Sequence, residues 1–447
     1  MTDAGRNAEI APEELLRLDL ANLPVPIRRP DGSDGRTAER PEDDFRAALT
    51  GIGRRRAEGE LAFLDLVHDR DLVEEVKRTA DRRSYEDVIV FGIGGSALGT
   101  RALRDAILGP AWNADARNRR GLPRLHVVDN PDPDTVGSLL ARVDPAKTLY
   151  NVVSKSGRTT ETLALYLTAT ESIARALGSR ATADRLVFTT SPDSGPLRRI
   201  ARDEGIATFS IPTGVGGRFS ALSAVGILPL ALAGADIDAL LDGAAQMAER
   251  CRKTSLKRNP AGRLAVSLVR AERISGRRIV VFMPYGDRLT ACGRFFQQLW
   301  AESLGKRPDR GPTPLAASGP ADQHSLLQLL ADGPADKVVV FLEAGGKAKP
   351  LQVPDRHVGI PELARLAGRS LHDILAIERR ATAQALARSG CPNATVALAA
   401  PDERSLGAFL MLVQLATVMA AELYGVDPFG QPGVEGTKAL VARYLEG

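Results

Sequence analysis

The chain has 447 residues, of which 44% are hydrophobic and 26% charged, with 42 glycines and 28 prolines. This is the composition of a globular protein of one to three domains, not of a disordered or fibrous one. Lysine and arginine exceed aspartate and glutamate by 59 to 55, a net charge of +4. Because the chain has no long basic run, nucleic acid is a poor first guess as a partner. An anionic small molecule suits the charge equally well.

The three cysteines, Cys251, Cys292 and Cys391, lie far apart in the sequence. Their odd number and wide spacing favour neither a disulfide framework nor a paired-cysteine metal site. Residues 1–20 are acidic and polar without a signal-peptide core, and we expect no apolar run near the roughly 18 residues of a membrane span. These features predict a cytoplasmic protein that does not bind a membrane.

The first half of the chain predicts an α/β domain behind an N-terminal extension. Residues 1–50 combine acidic helical turns with the turn-forming segment Arg29–Gly35, which predicts a helical extension over residues 1–75. Short apolar strands then alternate with helix-length segments, a pattern typical of a parallel sheet covered on both faces. We predict a first domain at 76–235 with strands at Val88–Phe91, Leu125–Val128, Leu149–Val153, Leu186–Phe188 and Ala207–Ile211.

A second α/β series follows the helical connector Ile237–Arg250. It predicts a domain over residues 236–428 and a final helix within residues 429–447. The predicted strands are Ile279–Met283, Val338–Leu342 and Thr395–Ala399, and the predicted helices are Leu289–Leu304, Ser325–Ala331, Leu371–Ala387 and Leu406–Leu423. The two halves share no obvious sequence repeat, so a duplication would have to be visible in the topology.

A glycine-rich turn, Gly92–Gly99, follows the first strand of this series and opens a helix. Its glycines let a ligand approach the backbone, and free N–H groups at a helix start favour an anion. A dinucleotide fingerprint would need an acidic residue about 20 residues further on, whereas the first acid at a strand end, Asp129, comes later. A dinucleotide-dependent oxidoreductase and a purely structural turn both remain alternatives.

The segment Ser154–Thr162 carries five hydroxyl side chains between a predicted strand and a predicted helix. Hydroxyl donors at a helix N-terminus suit a phosphate monoester. N-capping is the alternative, but it needs only one of the hydroxyls. Because no Gly-x-x-x-x-Gly-Lys-Ser/Thr loop occurs here, a nucleoside triphosphate is disfavoured.

Three individual residues are candidates for a role in catalysis. Arg218 stands among glycines in Gly214–Ser220, Glu302 lies beside the apolar face of a predicted helix, and His324 lies in a loop that reaches a helix start. A carboxylate in such a place could act as a base. Each residue on its own also has an ordinary interpretation: Arg218 as an exposed arginine, Glu302 as a surface carboxylate, and His324 as a capping or packing histidine. The histidines have no ligand spacing with each other or with cysteine, so metal catalysis is not expected.

Taken together, these segments resemble the phosphoglucose isomerase family in its shorter bacterial form. Six segments match family signatures in the same order: Gly92–Gly99, Ser154–Thr162, Gly216–Ser220, Gln298–Lys306, Gly319–Gln328 and Gln431–Lys438. The resemblance implies two tandem sugar-isomerase (SIS) domains, each a doubly wound, flavodoxin-like parallel sheet with flanking helices. It also implies the cofactor-free interconversion of glucose 6-phosphate and fructose 6-phosphate in glycolysis and gluconeogenesis.

The resemblance also implies roles for individual residues. Glu302 matches the base that moves a proton between C1 and C2, and Arg218 the residue that stabilises the enediolate. His324 and Lys438 match the pair that opens the sugar ring, with Gln431 beside them. A homodimer with a shared active site is implied, in which His324 enters from the neighbouring subunit. The implied phosphate and sugar contacts are Ser154, Lys155, Ser156, Thr159, Thr162, Gly95 and Ser96.

The sequence departs from the family pattern at two positions. Arg158 stands where the bacterial pattern usually has threonine, and Gly430 stands where the family often has aspartate or another polar residue. These departures affect the expected phosphate affinity and the conformation of the C-terminal loop. Another SIS-domain phosphosugar isomerase or a phosphosugar-binding regulator is the alternative function, although residues 1–85 contain no convincing helix-turn-helix.

Overall fold

The computed structural model describes residues 15–23, 40–81, 85–346 and 351–446, so the predicted turn at Arg29–Gly35 lies outside the described residues. The strands are β1 (Leu16–Asp19), β2 (Asp87–Phe91), β3 (Arg124–Val128), β4 (Thr148–Ser154), β5 (Leu186–Thr190), β6 (Ala207–Ser210), β7 (Ile279–Pro284), β8 (Thr313–Ala316), β9 (Lys337–Ala344) and β10 (Asn393–Leu398). The helices are α1 (Pro41–Ala57), α2 (Arg70–Asp81), α3 (Leu98–Ile107), α4 (Ala116–Arg119), α5 (Pro133–Arg142), α6 (Thr160–Leu177), α7 (Pro196–Glu204), α8 (Ala224–Leu232), α9 (Ile237–Arg250), α10 (Pro260–Ser275), α11 (Thr290–Leu304), α12 (Gln323–Asp332), α13 (Pro361–Ala364), α14 (Leu371–Arg388), α15 (Glu403–Tyr424) and α16 (Glu435–Glu446).

The first sheet is parallel throughout and has the order β3-β2-β4-β5-β6. Phe91 of β2 lies opposite Val128 on one side and Val152 on the other. Every residue of β2, β4 and β5 is buried, as expected for a sheet covered by helices on both faces. Numbered within the sheet, this is the 2-1-3-4-5 order of flavodoxin-like folds, which confirms the predicted fold class.

The second sheet has the order β1-β10-β9-β7-β8, so its four parallel strands repeat the order of the first sheet. The duplication is therefore present in topology. The fifth position is taken by β1, which pairs antiparallel with β10, with Leu16 opposite Leu398. The expectation of a purely helical N-terminal extension is wrong for Leu16–Asp19, and the expectation of an all-parallel sheet is wrong at this edge. Strand β8, which contains Pro314, was not predicted either.

Helix α15 is the central core helix of the described chain, and all but three of its 22 residues are buried. Gly407 lets it approach α9 closely, because an added Cβ would overlap the carbonyl of Leu240. The helix is also long and apolar enough to cross a membrane, but 94% of its most apolar 18-residue window is buried inside the protein. The expectation that no apolar run reaches this length is therefore wrong, and burial in the core explains the run.

A buried carboxylate at the start of β2 stabilises the first sheet. Asp87 is 1% exposed and accepts two hydrogen bonds from the Arg124 guanidinium, at 2.7 and 2.6 Å, and one involving His126 Nε2 at 2.8 Å. Burial on its own would raise the pKa of Asp87, but the hydrogen bonds to His126 and Arg124 outweigh it and lower the pKa to about 2. The ionised form is thus the one that the fold stabilises.

We expect acid to remove this stabilisation. A carboxyl whose pKa is lowered from 3.8 to about 2 contributes about 2 kcal/mol above pH 4, and the contribution is lost as the pH falls from about 4 to about 2. Asp87→Asn should lower the unfolding midpoint at pH 7 and flatten its pH dependence over that acidic window. Circular dichroism melts from pH 7 down to about pH 2 measure both effects, and equal acid slopes for the two proteins would contradict this account.

Candidate active site

The carboxylate of Glu302 lies at the centre of a hydrogen-bonded cluster near the end of α11. The buried residues of this helix, among them Phe296 and Trp300, fix it against the core, while the Glu302 side chain stays 30% exposed. Its Oε1 accepts a hydrogen bond from Gln298 Nε2 at 2.9 Å, one turn earlier. Its Oε2 accepts from the Gln431 amide and, at 3.2 Å, from Arg218 Nη1. Both oxygens are thus held in defined positions.

Arg218 supplies a fixed positive charge beside this carboxylate. It lies in the 3₁₀ turn Gly217–Leu222, and its side chain is 2% exposed. Its Nε donates to Ser303 Oγ at 2.7 Å, and its Nη2 donates to the carbonyls of Pro428 and, at 3.5 Å, Gly430. Burial lowers the pKa of Arg218, and the neighbouring Glu302 acts in the opposite direction. An arginine held by this many acceptors has little freedom to move away.

The glycine-rich turn packs directly on these residues. Gly95 allows the turn to touch the backbone at Gly217 and Arg218, where a Cβ would overlap, and Gly94, at φ +56°, leaves room for the Gln298 amide. Ser96 lies in the same turn, between β2 and α3. Packing against the Glu302 cluster therefore accounts for glycine at both positions. The structure brings this predicted sugar-binding turn together with Glu302 and Arg218.

The hydroxyl-rich segment forms a compact loop between β4 and α6. Ser154 Oγ lies 2.9 Å from Thr159 Oγ1 and accepts a hydrogen bond from the Gly157 N–H at 3.1 Å. Thr159 occupies the N-cap position of α6, yet its side chain makes no capping hydrogen bond. Ser156 is exposed and its Oγ accepts from the Arg158 N–H. Capping thus does not explain these hydroxyls, which are arranged around a loop at a helix N-terminus.

Two other predicted residues of this loop point elsewhere. Lys155 Nζ donates to the carbonyls of Thr213 and Val215 at 2.6 and 2.8 Å, which ties the loop to the segment that precedes Arg218. Burial lowers the pKa of Lys155. Thr162 is buried, and within the described residues its hydroxyl has no hydrogen-bond partner. The role of Thr162 as a phosphate contact therefore stays a prediction.

Arg158 gives the loop an unusually basic border. It is exposed and lines a shallow cleft with Asp193 and three arginines of α7, Arg198, Arg199 and Arg202. The departure from threonine at this position therefore adds charge to an existing arginine group beside the hydroxyl loop.

The structure does not join the two predicted ring-opening residues to the Glu302 cluster. His324 is exposed near the start of α12, and no hydrogen bond joins its side chain to any described residue. Lys438 lies on α16, where all residues with described burial are exposed, and it pairs with Glu435 at 2.7 Å. Gln431, by contrast, reaches Glu302. Within one chain, the cluster therefore contains Glu302, Arg218 and Gln431 but neither His324 nor Lys438.

Sequence reasoning missed three residues that hold the cluster. Gln298 contacts Glu302, Ser303 contacts Arg218, and Lys306 donates to the Gly430 carbonyl. The spacing of Gln298 and Glu302 was a usable signal, because residues four apart on a helix are neighbours. Nothing in the sequence indicated that Ser303 would contact Arg218 or that Lys306 would reach the Gly430 carbonyl.

Comparison with known proteins decides the family. Residues 67–446 match the sequence profile of the phosphoglucose isomerase family. The chain belongs to the phosphoglucose isomerase family. It is 37% identical over 439 residues to glucose-6-phosphate isomerase of Carboxydothermus hydrogenoformans, an alignment that covers 96% of this chain and 94% of that one. It is 39% identical to the Rubrobacter xylanophilus enzyme of the same name, with 92% and 94% covered.

A solved structure shares the fold over nearly the whole chain. A hypothetical protein of Thermus thermophilus superimposes with a TM-score of 0.84 at 36% identity, covering 97% of this chain and 100% of that one. For a member of the phosphoglucose isomerase family, the dinucleotide interpretation of Gly92–Gly99 has no remaining support.

Proposed function

We propose that this chain interconverts glucose 6-phosphate and fructose 6-phosphate, the reaction of glycolysis and gluconeogenesis for which its relatives are named. Family membership supports the reaction, and one geometric observation supports the mechanism: a partly exposed carboxylate, Glu302, lies 3.2 Å from the buried guanidinium of Arg218. Aldose–ketose isomerisation needs a base for a proton next to a carbonyl and a fixed positive charge where the enediolate forms. This pair offers both.

In the proposed mechanism, Glu302 removes the proton from C2 of the open-chain aldose, and the electron pair moves to give a cis-enediolate. The same carboxylic acid then returns the proton to C1, and the proton of the O2 hydroxyl moves to O1. The product is the ketose. Arg218 stabilises the negative oxygen. Binding energy from the unreactive phosphate, held by the Ser154–Thr162 loop, orients C1 and C2. His324 and Lys438 are proposed to open the ring.

We further propose a homodimer with a shared active site. Helix α16 exposes several large apolar side chains: Leu440, Val441, Tyr444 and Leu445. The segment before α14 exposes Leu351, Val358, Ile360 and Leu363. A contiguous apolar patch on a protein surface is typical of an interface, and these two segments supply apolar side chains for one. An isologous dimer would bury it and would bring His324 of the partner subunit to a cluster that lacks a ring-opening acid.

Subunit complementation tests the shared site. Inactive His324→Ala and inactive Glu302→Gln are mixed and allowed to exchange subunits under mild denaturant. One site of the heterodimer then carries both defects and the other carries neither, so up to half of the normal activity per heterodimer should return. If mass spectrometry confirms exchange and no activity returns, His324 acts within its own chain and the shared-site proposal is wrong.

The reaction itself is tested by following fructose 6-phosphate conversion with a glucose-6-phosphate dehydrogenase coupling enzyme. We expect turnover with no cofactor beyond the nicotinamide dinucleotide that the coupling enzyme consumes, and also after dialysis of the protein against a strong chelator. A purified protein that binds 6-phosphogluconate but does not isomerise either sugar would instead favour the phosphosugar-binding alternative.

We also propose that the two domains span residues 76–235 and 236–428. The proposed location is the cytoplasm, where the three free, buried cysteines would stay reduced.

A further inference from the structure

A second buried arginine, Arg55 of α1, lies behind the C-terminal loop, defined here as Asp427–Gln431. Its side chain is only 10% exposed and pairs with three carboxylates. Its Nε donates to Glu422 of α15, and its Nη1 donates to Glu60 at 2.5 Å and lies 3.6 Å from Asp427. Arg55 therefore connects the N-terminal helix and the core helix to the loop that carries Gln431.

Asp427 sets the conformation of the C-terminal loop. One carboxylate oxygen accepts from the Phe429 N–H at 3.2 Å and the other from the Gly430 N–H at 2.9 Å. Burial alone would raise the pKa of Asp427, but these two N–H groups and then the charges of Arg55 and Lys306 lower it. The ionised carboxylate thus orders the loop backbone, and Arg55 helps to keep it ionised.

The other face of the same loop contacts the proposed catalytic cluster. The Pro428 carbonyl accepts from Arg218, and the Gly430 carbonyl accepts from Arg218 and Lys306. Gln431, at the end of the loop, donates to Glu302. A shift of the loop would therefore move acceptors of Arg218 and a donor to Glu302 together.

Aromatic packing gives a second connection between the two arginines. The Arg55 guanidinium carbon lies 6.0 Å from the centroid of the Phe429 ring, within cation–π range. The Phe429 ring packs 5.2 Å from that of Phe219, and Arg218 lies 5.7 Å from the same Phe219 ring. Arg55 and Arg218 thus contact two rings that pack on each other.

We propose that Arg55 is a positioning residue for isomerisation: through Asp427 and Phe429 it holds the C-terminal loop where the loop orients Arg218 and Gln431 around Glu302. Arg55 itself contacts neither Glu302 nor Arg218 among the described hydrogen bonds. This inference rests on the proposed roles of Glu302 and Arg218. It predicts that loss of Arg55 lowers the rate of the proton-transfer step while the phosphate loop continues to bind substrate.

The chain offers a matched control on neighbouring helices. Arg270 of α10 pairs with Asp44 of α1 at 2.7 Å, and both side chains are buried. This pair anchors the same N-terminal helix but has no described contact with the C-terminal loop. Loss of Arg270 therefore reproduces the loss of a buried ion pair, with its cost in stability, without removing the proposed connection to the site.

The experiment compares Arg55→Met, Arg55→Lys and Arg270→Met at a temperature where circular dichroism shows all three folded. We expect kcat of Arg55→Met to fall roughly 10- to 100-fold, the effect of a displacement near 1 Å in a catalytic group, with KM for fructose 6-phosphate within about twofold. Arg55→Lys should recover part of kcat, since it keeps the charge without the planar fork. Arg270→Met should keep kcat within about twofold, because it lies outside the connected group.

A double variant makes the test more specific. If Arg55 acts partly through Asp427, the loss of kcat in Arg55→Met combined with Asp427→Asn should be clearly smaller than the product of the two single losses. Wild-type kcat in folded Arg55→Met, an equal loss in Arg270→Met, or multiplicative losses in the double variant would each overturn the proposal. An inactive wild-type protein would instead contradict the proposed function, so the two failures are distinguishable.

Discussion

Glu302→Gln should lower kcat by about a thousandfold or more, at the upper end of what a positioned general base contributes. The change replaces a carboxylate by an amide of nearly the same shape, so it removes basicity and little volume. Coupled assays measure kcat, and exchange of the C2 proton with solvent measures the transfer step itself. A variant that keeps near-normal exchange would exclude Glu302 as the base.

The surrounding donors explain why substrate binding should survive this change. Glutamine can present its carbonyl oxygen to Arg218, which can only donate, and its NH₂ group to Gln298, whose own amide can rotate to accept. The network therefore stays paired. Gln298→Ala is the matched control, because it removes one hydrogen bond to Glu302 at 2.9 Å and leaves the base. We expect it to lower kcat by roughly 10- to 100-fold, since one hydrogen bond to a charged group is worth about 1.5–3 kcal/mol.

Much of the fold could be predicted because its signals are local. Strands buried on both faces contain continuous apolar runs. Strands β2, β4 and β5 are buried at every position, and apolar runs such as Val88–Phe91 and Leu186–Phe188 lie within them. Strand β1 did not show such a run. Its four residues alternate, with only Leu16 and Leu18 buried, and its partner β10 lies at the other end of the chain. A pairing over that separation is set by tertiary packing, not by a local pattern.

The catalytic cluster could be predicted only in part, for a related reason. The resemblance indicated Glu302, Arg218 and Gln431, and the structure brings them together. The contribution of Arg55 was not predictable, because it stands in a run of three arginines, Arg54–Arg56, of which it alone is buried. Helix periodicity alone does not show which of three adjacent arginines meets a carboxylate from a distant loop. His324 stays a prediction that depends on a second subunit, and Lys438 stays a prediction for the same chain as Glu302 and Arg218.

Substituting both Ser156 and Thr159 by alanine should raise KM for fructose 6-phosphate about 10²- to 10⁴-fold, because each hydrogen bond to a charged phosphate is worth about 1.5–3 kcal/mol. These positions suit the test because Ser156 is exposed and Thr159 makes no capping hydrogen bond, so global stability should change little. Ser154 is left intact, since its hydroxyl accepts from the Gly157 N–H and supports the loop.

The control is Thr160→Ala. Thr160 carries an exposed hydroxyl at the next position of the same helix start, and its loss should leave KM within about twofold of the parent value. Calorimetric titration with 6-phosphogluconate separates affinity from turnover, and a double variant that binds this anion as tightly as the parent would show that another part of the chain holds the phosphate.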